Sequence, residues 1–291
     1  MLNKNQIEFA LLISFSKIVN LFKFESLPKV AKILTPLFYN VVKIRKEVIL
    51  KNLKIAFPEK EEKFYLNTAK ENYFHFILTL LEIIKIPSLT KEKLNAIFKV
   101  QNPGLLKEKI SQNKGLIFLT AHFGNWELGA VAIGSQTDIA INVLTKPQRN
   151  NLVFKWLNDI RESFGNKSVK LGASVREIYK ALKEKNVVGI VGDQRGPKEG
   201  MRVLFFGKET AVFPGTAAIS LKTGSPILTA IAERKPDFTY ELTLGEINPD
   251  EKEGSEEEKI RFINQKYMNI LEDHIRKNPA QWFWMHNIWK Y

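Results

Sequence analysis

Gly115–Leu116–Ile117–Phe118–Leu119–Thr120 is an unbroken apolar run that ends on the polar stretch Ala121–His122–Phe123–Gly124–Asn125–Trp126–Glu127. Apolar residues at consecutive positions, without alternation, mark a strand covered on both faces, as in a parallel sheet packed between helices. Ile139 to Leu144 is a second such run. Val187–Val188–Gly189–Ile190–Val191 is a third, preceded by a helical pattern around Arg176–Lys185. Pro226 to Ile231 is a fourth, preceded by a helix over Gly215–Thr223. Tyr240–Leu244 alternates and suits an edge strand, and the acidic run Glu251–Glu258 leads into a last helix over Glu256–Arg276. Strands alternating with helical patterns predict βαβ units.

The first hundred residues read differently. Long apolar-periodic stretches with few turn signals predict helices, one over Phe64–Ile86 ended by Pro87 and another beginning after Thr90 as N-cap, with Lys93 in its first turn. The expected fold is therefore α/β: a central, mostly parallel sheet flanked by helices, with a helical N-terminal portion. Residues 1–25 are expected to form a membrane-associating amphipathic segment, 26–100 the helical portion and 101–291 the α/β domain, with 26–291 as one compact unit.

Composition narrows the chemistry. With 291 residues, 44% hydrophobic and 26% charged, the chain is globular and can bury a large core without staples. It has no cysteine, so there is no disulfide, thiolate nucleophile or zinc–thiolate site. No two of His75, His122, His274 and His286 lie at HxxxH spacing, so no histidine metal centre is expected. His75 and His274 read as structural or solvated. Gly192 and Gly196 form neither a dinucleotide nor a Walker loop, so no nucleotide cofactor is implied.

The net charge of +13 attracts nucleic acid, anionic lipid or an acidic carrier protein. Residues 1–60 carry +7 and residues 241–291 carry −3, so the positive end is the N-terminal one. There, Ile7, Leu11, Phe15, Ile18 and Phe22 fall on one helical stripe, with Lys17, Asn20 and Lys23 opposite. Glu8, Lys17 and Lys23 interrupt the stretch, so it does not read as a spanning helix. It either packs on its own core or lies in a membrane interface. The basic run Lys43, Arg45, Lys46, Lys51 and Lys54 favours an anionic membrane surface. No nucleic-acid motif is present, and the charge gathers beside an amphipathic helix, so nucleic acid is not the expected partner. The C-terminal Trp282, Phe283, Trp284, Trp289 and Tyr291 either sit at the interface or close the core, and core closure is the favoured reading.

The chemistry centres on the end of the first strand, since functional residues of open α/β sheets gather at strand carboxyl ends. In a straight helix His122 and Glu127 would point about 140° apart; a turn at Gly124 lets them converge. A carboxylate beside an imidazole fixes its tautomer and stabilises the imidazolium, so the pair can take a proton from a hydroxyl. The alternative is a histidine at a strand end with Glu127 merely in a helix's first turn. Asp193–Gln194–Arg195–Gly196–Pro197 also follows a strand, and Arg195 is suited to clamp a phosphate, or else to form a local salt-bridged turn with Asp193.

His122–Phe123–Gly124–Asn125–Trp126–Glu127 resembles the HxxxxE/D signature of glycerolipid acyltransferases, and more narrowly that of the lipid A late acyltransferases (lauroyl and myristoyl transferases). Further segments resemble that family in order: Lys51–Asn52–Leu53 with Ala56–Phe57–Pro58–Glu59, Pro147 with Asn150, Gly192–Asp193–Gln194–Arg195–Gly196, Phe205–Phe206–Gly207–Lys208 through Thr223–Gly224–Ser225–Pro226, and Pro279–Ala280–Gln281–Trp282–Phe283–Trp284–Met285–His286. The likeness runs from about residue 45 to the end. It implies a glycerolipid-acyltransferase-like fold and transfer of a fatty acyl chain from acyl carrier protein to a hydroxyl of a lipid A precursor. His122 would be general base, Glu127 its orienting partner, and Asn125, Asp193, Arg195, Gly196, Lys146 and Arg161 substrate-binding residues. It also implies the cytoplasmic face of the bacterial inner membrane, with peripheral or N-terminal anchoring, and no cofactor. Arg195 and backbone N–H groups near Gly124 or Gly196 are candidates to stabilise the oxyanion. Lys146 stands where the family has arginine, Ala280 where it has glutamate and Asn287–Ile288 where it has a basic pair, which leaves open another glycolipid or an amino-acid lipid as acceptor. A non-catalytic lipid-binding relative is the remaining reading, although both His122 and Glu127 are present.

Overall fold

A computed structural model describes residues 3–137, 139–170 and 174–291. The N-terminal portion is helical: α1 (Lys4–Asn20), α2 (Leu27–Leu37), α3 (Lys46–Ala56), α4 (Glu62–Lys85) and α5 (Lys91–Ile97). Thr90 caps α5 by accepting from the Lys93 backbone N–H, as its position predicts. The chain then alternates: β1 (Phe98–Val100), α6 (Pro103–Ser111), β2 (Leu116–Thr120), α7 (Trp126–Thr137), β3 (Ile141–Thr145), α8 (Asn151–Glu162), β4 (Lys167–Lys170), α9 (Ser174–Lys183) and β5 (Val187–Val191). A hairpin of β6 (Arg202–Phe205) and β7 (Lys208–Ala211) follows, then α10 (Gly215–Thr223), β8 (Ile227–Arg234), β9 (Tyr240–Ile247) and α11 (Glu256–Lys277).

The main sheet has the order β1-β9-β8-β2-β5-β3-β4, and every neighbouring pair is parallel except β8 with β9. β2 is central, and its side chains divide between two cores. Ile117 and Leu119 join one face, with α11 and the C-terminal tryptophans; Leu116 and Phe118 join the other, with α4 and α7. That two-sided burial is why the run carries no polar alternation. One expectation is corrected. Tyr240–Ile247 is not the edge, because the short β1 pairs outside it. Three residues, Phe98–Lys99–Val100, are too few to show a period in sequence.

β2 and β5 are adjacent and parallel, with Thr120 opposite Val191. From β2 the chain leads to β3 on one side; from β5 it leads to β8 on the other. Their carboxyl ends form the topological switch point, where a crevice opens in sheets of this kind.

A buried polar network ties the N-terminal helices to this end of the sheet. The Arg234 guanidinium, fully buried, donates to Glu82 Oε2 at 2.8 Å, Tyr240 Oη at 2.6 Å, Thr79 Oγ1 at 3.0 Å and His75 Nδ1 at 2.7 Å. Glu82 Oε2 also accepts from the Tyr240 hydroxyl and from Asn125 Nδ2. His75 is thus a paired, largely buried group and not a solvated one. Burial, and then the Arg234 charge, push its pKa down to about 3. Removing one member of a buried ion pair strands the other, so Glu82→Ala is expected to cost about 3–5 kcal/mol. Replacing both, with Arg234→Met added, should recover part of that loss. Urea unfolding at neutral pH measures both; a single-variant loss as small as that of an exposed pair would show that water reaches the network.

Candidate active site

Gly124 makes the turn that the sequence requires between β2 and α7. Its φ is +57°, and a Cβ there would lie 1.9 Å from the Ala232 carbonyl oxygen on β8. Only glycine fits this close backbone approach at a left-handed residue. Asn125 then caps α7, its Oδ1 accepting from the Leu128 N–H at 3.0 Å while its Nδ2 donates to Glu82. Its side chain is fully buried, and both ends of its amide are engaged within the protein.

His122 lies at the mouth of the switch point, its side chain 19% exposed. Its hydrogen-bonded carboxylate is Asp193, from the adjacent strand end. His122 Nδ1 stands 2.7 Å from Asp193 Oδ1, and the His122 backbone N–H donates to Asp193 Oδ2 at 2.8 Å. The Trp282 indole N–H donates to the same oxygen at 2.8 Å. An acceptor-only carboxylate at Nδ1 places the imidazole proton there and leaves the Nε2 lone pair free. Burial alone would lower the His122 pKa, but the charge and hydrogen bond of Asp193, with the Glu127 charge behind them, hold it above the usual value. Burial opposes ionisation of Asp193 in turn, and the His122 and Trp282 donors keep its pKa below the usual carboxylate value. The Trp126 ring packs edge-on at 4.8 Å and Phe283 lies tilted at 5.8 Å, so the imidazole sits between aromatic walls.

The convergence of His122 and Glu127 on one hydrogen bond does not occur. Glu127 is held instead by Arg161 of α8, which forks onto it with Nε–Oε2 at 2.8 Å and Nη2–Oε1 at 2.6 Å. The helix start turns the Glu127 side chain toward α8, where Arg161 pairs with it. Glu127 acts on His122 through space only.

The other expected binding residues are scattered. The Arg195 guanidinium donates to the Asn287 carbonyl and lies over the Tyr291 ring at 4.8 Å, while its backbone N–H donates to His286 Nε2 at 3.0 Å. It therefore does not pair with Asp193. Gly196 passes so close to Val212 that a Cβ would meet its carbonyl oxygen at 2.4 Å, and its N–H donates to the Ala211 carbonyl. Lys146 is exposed in the loop after β3. Asn150 caps α8 and donates to the Asn5 carbonyl and to Glu8, which joins α8 to α1.

The C-terminal segment braces the site. The Phe283 N–H donates to the His122 carbonyl at 2.9 Å, and the Gly124 N–H donates to the Gln281 carbonyl at 3.0 Å. Two helix asparagines hold this segment: Asn72 Nδ2 donates to the Ala280 and Trp282 carbonyls, and Asn52 Nδ2 to those of Trp284 and His286. Trp282 and Trp284 are buried against Phe205 and Phe206, so these aromatics close the core. Sequence reasoning missed Asn72, Glu82, Arg234 and Gln281. The available signal was a lone charge in an apolar run, Glu82 between Leu81 and Ile83; Arg234 gave none, because it lies between Glu233 and Lys235.

Comparison with known proteins agrees with the motifs. The chain is 28% identical over 255 residues to the lipid A biosynthesis palmitoleoyltransferase of Escherichia coli (strain K12), covering 86% of this chain and 80% of that protein. To the lipid A biosynthesis lauroyltransferase of the same strain it is 26% identical over 254 residues, with the same coverage. It is also 24% identical over 217 residues to a phosphatidylinositol mannoside acyltransferase of Mycobacterium tuberculosis (strain ATCC 25618 / H37Rv), covering 72% of this chain and 66% of that protein. The family model described as bacterial lipid A biosynthesis acyltransferase matches residues 3–291, and with a match over nearly its whole length the chain belongs to that family of acyltransferases.

Proposed function

We propose that the protein moves a fatty acyl chain from acyl carrier protein to a hydroxyl of a lipid A precursor at a membrane surface, with His122 as general base. The observation that carries the mechanism is the Asp193 carboxylate on His122 Nδ1, which leaves the Nε2 lone pair available as a base. The acceptor hydroxyl gives its proton to Nε2 as its oxygen attacks the thioester carbonyl carbon. When the tetrahedral intermediate collapses, the carbon–sulfur bond breaks and the imidazolium returns the proton to the departing thiolate. Asp193 orients the ring and offsets its transient charge, as the carboxylate of a catalytic triad does. Glu127 adds negative charge at longer range and fixes Arg161.

Membrane docking rests on a second observation. The stripe Ile7, Leu11, Phe15, Ile18 and Phe22 points away from the protein, and Leu11 is 67% exposed. α1 packs on α4 and α8 through the opposite side, with Ser16 and Val19 buried. Ile33, Leu37, Val41 and Ile44 extend the exposed apolar surface beside Lys43 and Arg45. An apolar face flanked by cations suits an anionic bilayer surface, the cytoplasmic face of the bacterial inner membrane. Among the described residues no helix is long and apolar enough to cross a membrane. A different glycolipid acceptor is the second reading, favoured by Asn287–Ile288 in place of a basic pair and by the likeness to a mannoside acyltransferase.

His122→Ala is expected to lower transfer from lauroyl acyl carrier protein to a lipid A precursor by about 10²–10⁴-fold while the protein still folds. Turnover at the wild-type rate, followed by mass spectrometry, would remove the general-base assignment. The pH profile tests the orienting carboxylate. His122 must be neutral to act, and its pKa is raised, so kcat/KM should fall on the acid side at a pH above that of a free imidazole. Asp193→Asn removes the raising charge and should move that limb to lower pH as well as slow the reaction. Glu127→Gln should move it less; the reverse ranking would return the orienting role to Glu127. For docking, replacing Leu11, Phe15 and Ile18 together by glutamate should abolish flotation with vesicles containing phosphatidylglycerol. Undiminished flotation would place the lipid contact elsewhere.

A further inference from the structure

The proposed reaction needs a hydrogen-bond donor for the oxygen that becomes negative in the tetrahedral intermediate, held in a site that excludes water. Of the donors that the sequence suggested, the Gly124 and Gly196 N–H groups are occupied, and Arg195 spends Nη1 within the protein while its buried Nε has no partner. The Gly124 N–H is bonded to the Gln281 carbonyl at 3.0 Å, the Gly196 N–H to the Ala211 carbonyl at 2.8 Å, and the Arg195 guanidinium is turned to Asn287 and Tyr291.

His122 lines a small cavity between α4, the β2–α7 turn and the C-terminal segment, and several polar side chains share that lining. Asn72 spends its amide on the Ala280 and Trp282 carbonyls. The Thr79 hydroxyl donates to the Gly124 carbonyl. Gln281 turns both ends of its amide to the Arg234 backbone, and the Trp282 indole donates to Asp193. His75 and Trp126 complete the donors of that lining.

Arg234 settles the state of His75. A guanidinium only donates, so His75 Nδ1, 2.7 Å from Arg234 Nη1, must accept. A neutral imidazole that accepts at Nδ1 carries its proton on Nε2. Burial and the Arg234 charge keep the ring from gaining a second proton. The same charge, drawing on the Nδ1 lone pair, polarises the Nε2–H bond and makes it a stronger donor than an unassisted imidazole. The guanidinium is itself fixed by Glu82, Tyr240 and Thr79, so the donor costs little reorganisation during reaction.

We propose that His75 is a second catalytic histidine, which donates Nε2–H to the carbonyl oxygen of the acyl group while Arg234 fixes its tautomer. This rests on the acyl-transfer reading of the same site. No proton leaves His75: the oxygen gains charge as the acceptor hydroxyl adds, holds the Nε2–H hydrogen bond, and reforms the carbonyl as the thiolate departs. One histidine serves as base and the other as neutral donor, and the two are separated by their partners, a carboxylate for His122 and a guanidinium for His75.

The discriminating variant is His75→Asn. Its Oδ1 can take the place of Nδ1 and keep Arg234 satisfied, but nothing replaces Nε2–H. With lauroyl acyl carrier protein and a lipid A precursor, kcat should fall by about a hundredfold to a thousandfold. The KM for the acceptor and the acid limb of the pH profile should stay in place, and thermal unfolding should stay close to that of the wild type. His75→Ala should lose the same activity and stability as well. Wild-type kcat in the folded His75→Asn protein, or a loss confined to Trp126→Phe, would overturn the proposal. ¹⁵N spectra of the imidazoles give an independent reading: His75 should show a bare Nδ1 and a protonated Nε2, and the opposite tautomer would overturn it. If the wild type transfers nothing with this pair, the fault lies in the proposed donor or acceptor. His75 is then decided by adding a lauroyl-phosphopantetheine analogue with an amide for the thioester. Movement of the Nε2 resonance supports carbonyl contact, and its absence overturns the proposal.

Discussion

Asp193 is a fully buried carboxylate, and the protein is organised around satisfying it. An unpaired charge at that depth would be expensive, so it is surrounded by N–H donors from two distant parts of the chain. His122 supplies a ring nitrogen and its own backbone N–H, and Trp282 supplies its indole. These donors tie two elements, the end of β2 and the C-terminal segment, to the end of β5 that carries Asp193. The imidazole orientation follows from a charge that cannot be left alone.

That dependence runs outward to the N-terminal helices. The C-terminal segment between Gln281 and Tyr291 makes one bridge, Trp282 with Phe123, and is otherwise irregular, so the Ala280, Trp282, Trp284 and His286 carbonyls take partners from outside the sheet. Asn52 of α3 and Asn72 of α4 are those partners, each bridging two carbonyls. Asparagine is a poor helix-interior residue, and here it is tolerated because its amide replaces a missing strand partner. The Glu82–Arg234 pair adds a second tie between α4 and β8, and through Asn125 it reaches the turn before α7. The helical portion is thus part of the site's scaffold. α1 differs, because a continuous stripe of its apolar side chains, Ile7, Leu11, Phe15 and Ile18, is exposed.

The two carboxylates near His122 have diverged in role by their partners. Glu127 sits in a bidentate pair with Arg161, which satisfies its oxygens and turns it from the ring. Asp193 has no cation of its own except the imidazolium that His122 can become. The His122 ring is therefore met by Asp193 directly and by the Glu127 charge through space, which is why its pKa rises although burial opposes it.

Sequence alone determined the strands at Leu116, Val187 and Ile227, the helices over Phe64–Ile86 and Gly215–Thr223, and the turn at Gly124. Each of these is written in local terms: an apolar run, a helical period, a cap, or a position that only glycine can occupy. It also separated the N-terminal apolar stripe from the rest of the chain, but could not say whether the stripe faced the core or solvent, since periodicity defines a face and not what covers it. Only the tertiary structure decided that Asp193, and not Glu127, touches His122, because that contact joins residues 71 apart across two neighbouring strands. The same holds for the pairing of Arg234 with Glu82 and His75, more than 150 residues away in each case. Spacing along one helix constrains which side chains share a face; which strand end lies beside which is settled by the order of the sheet.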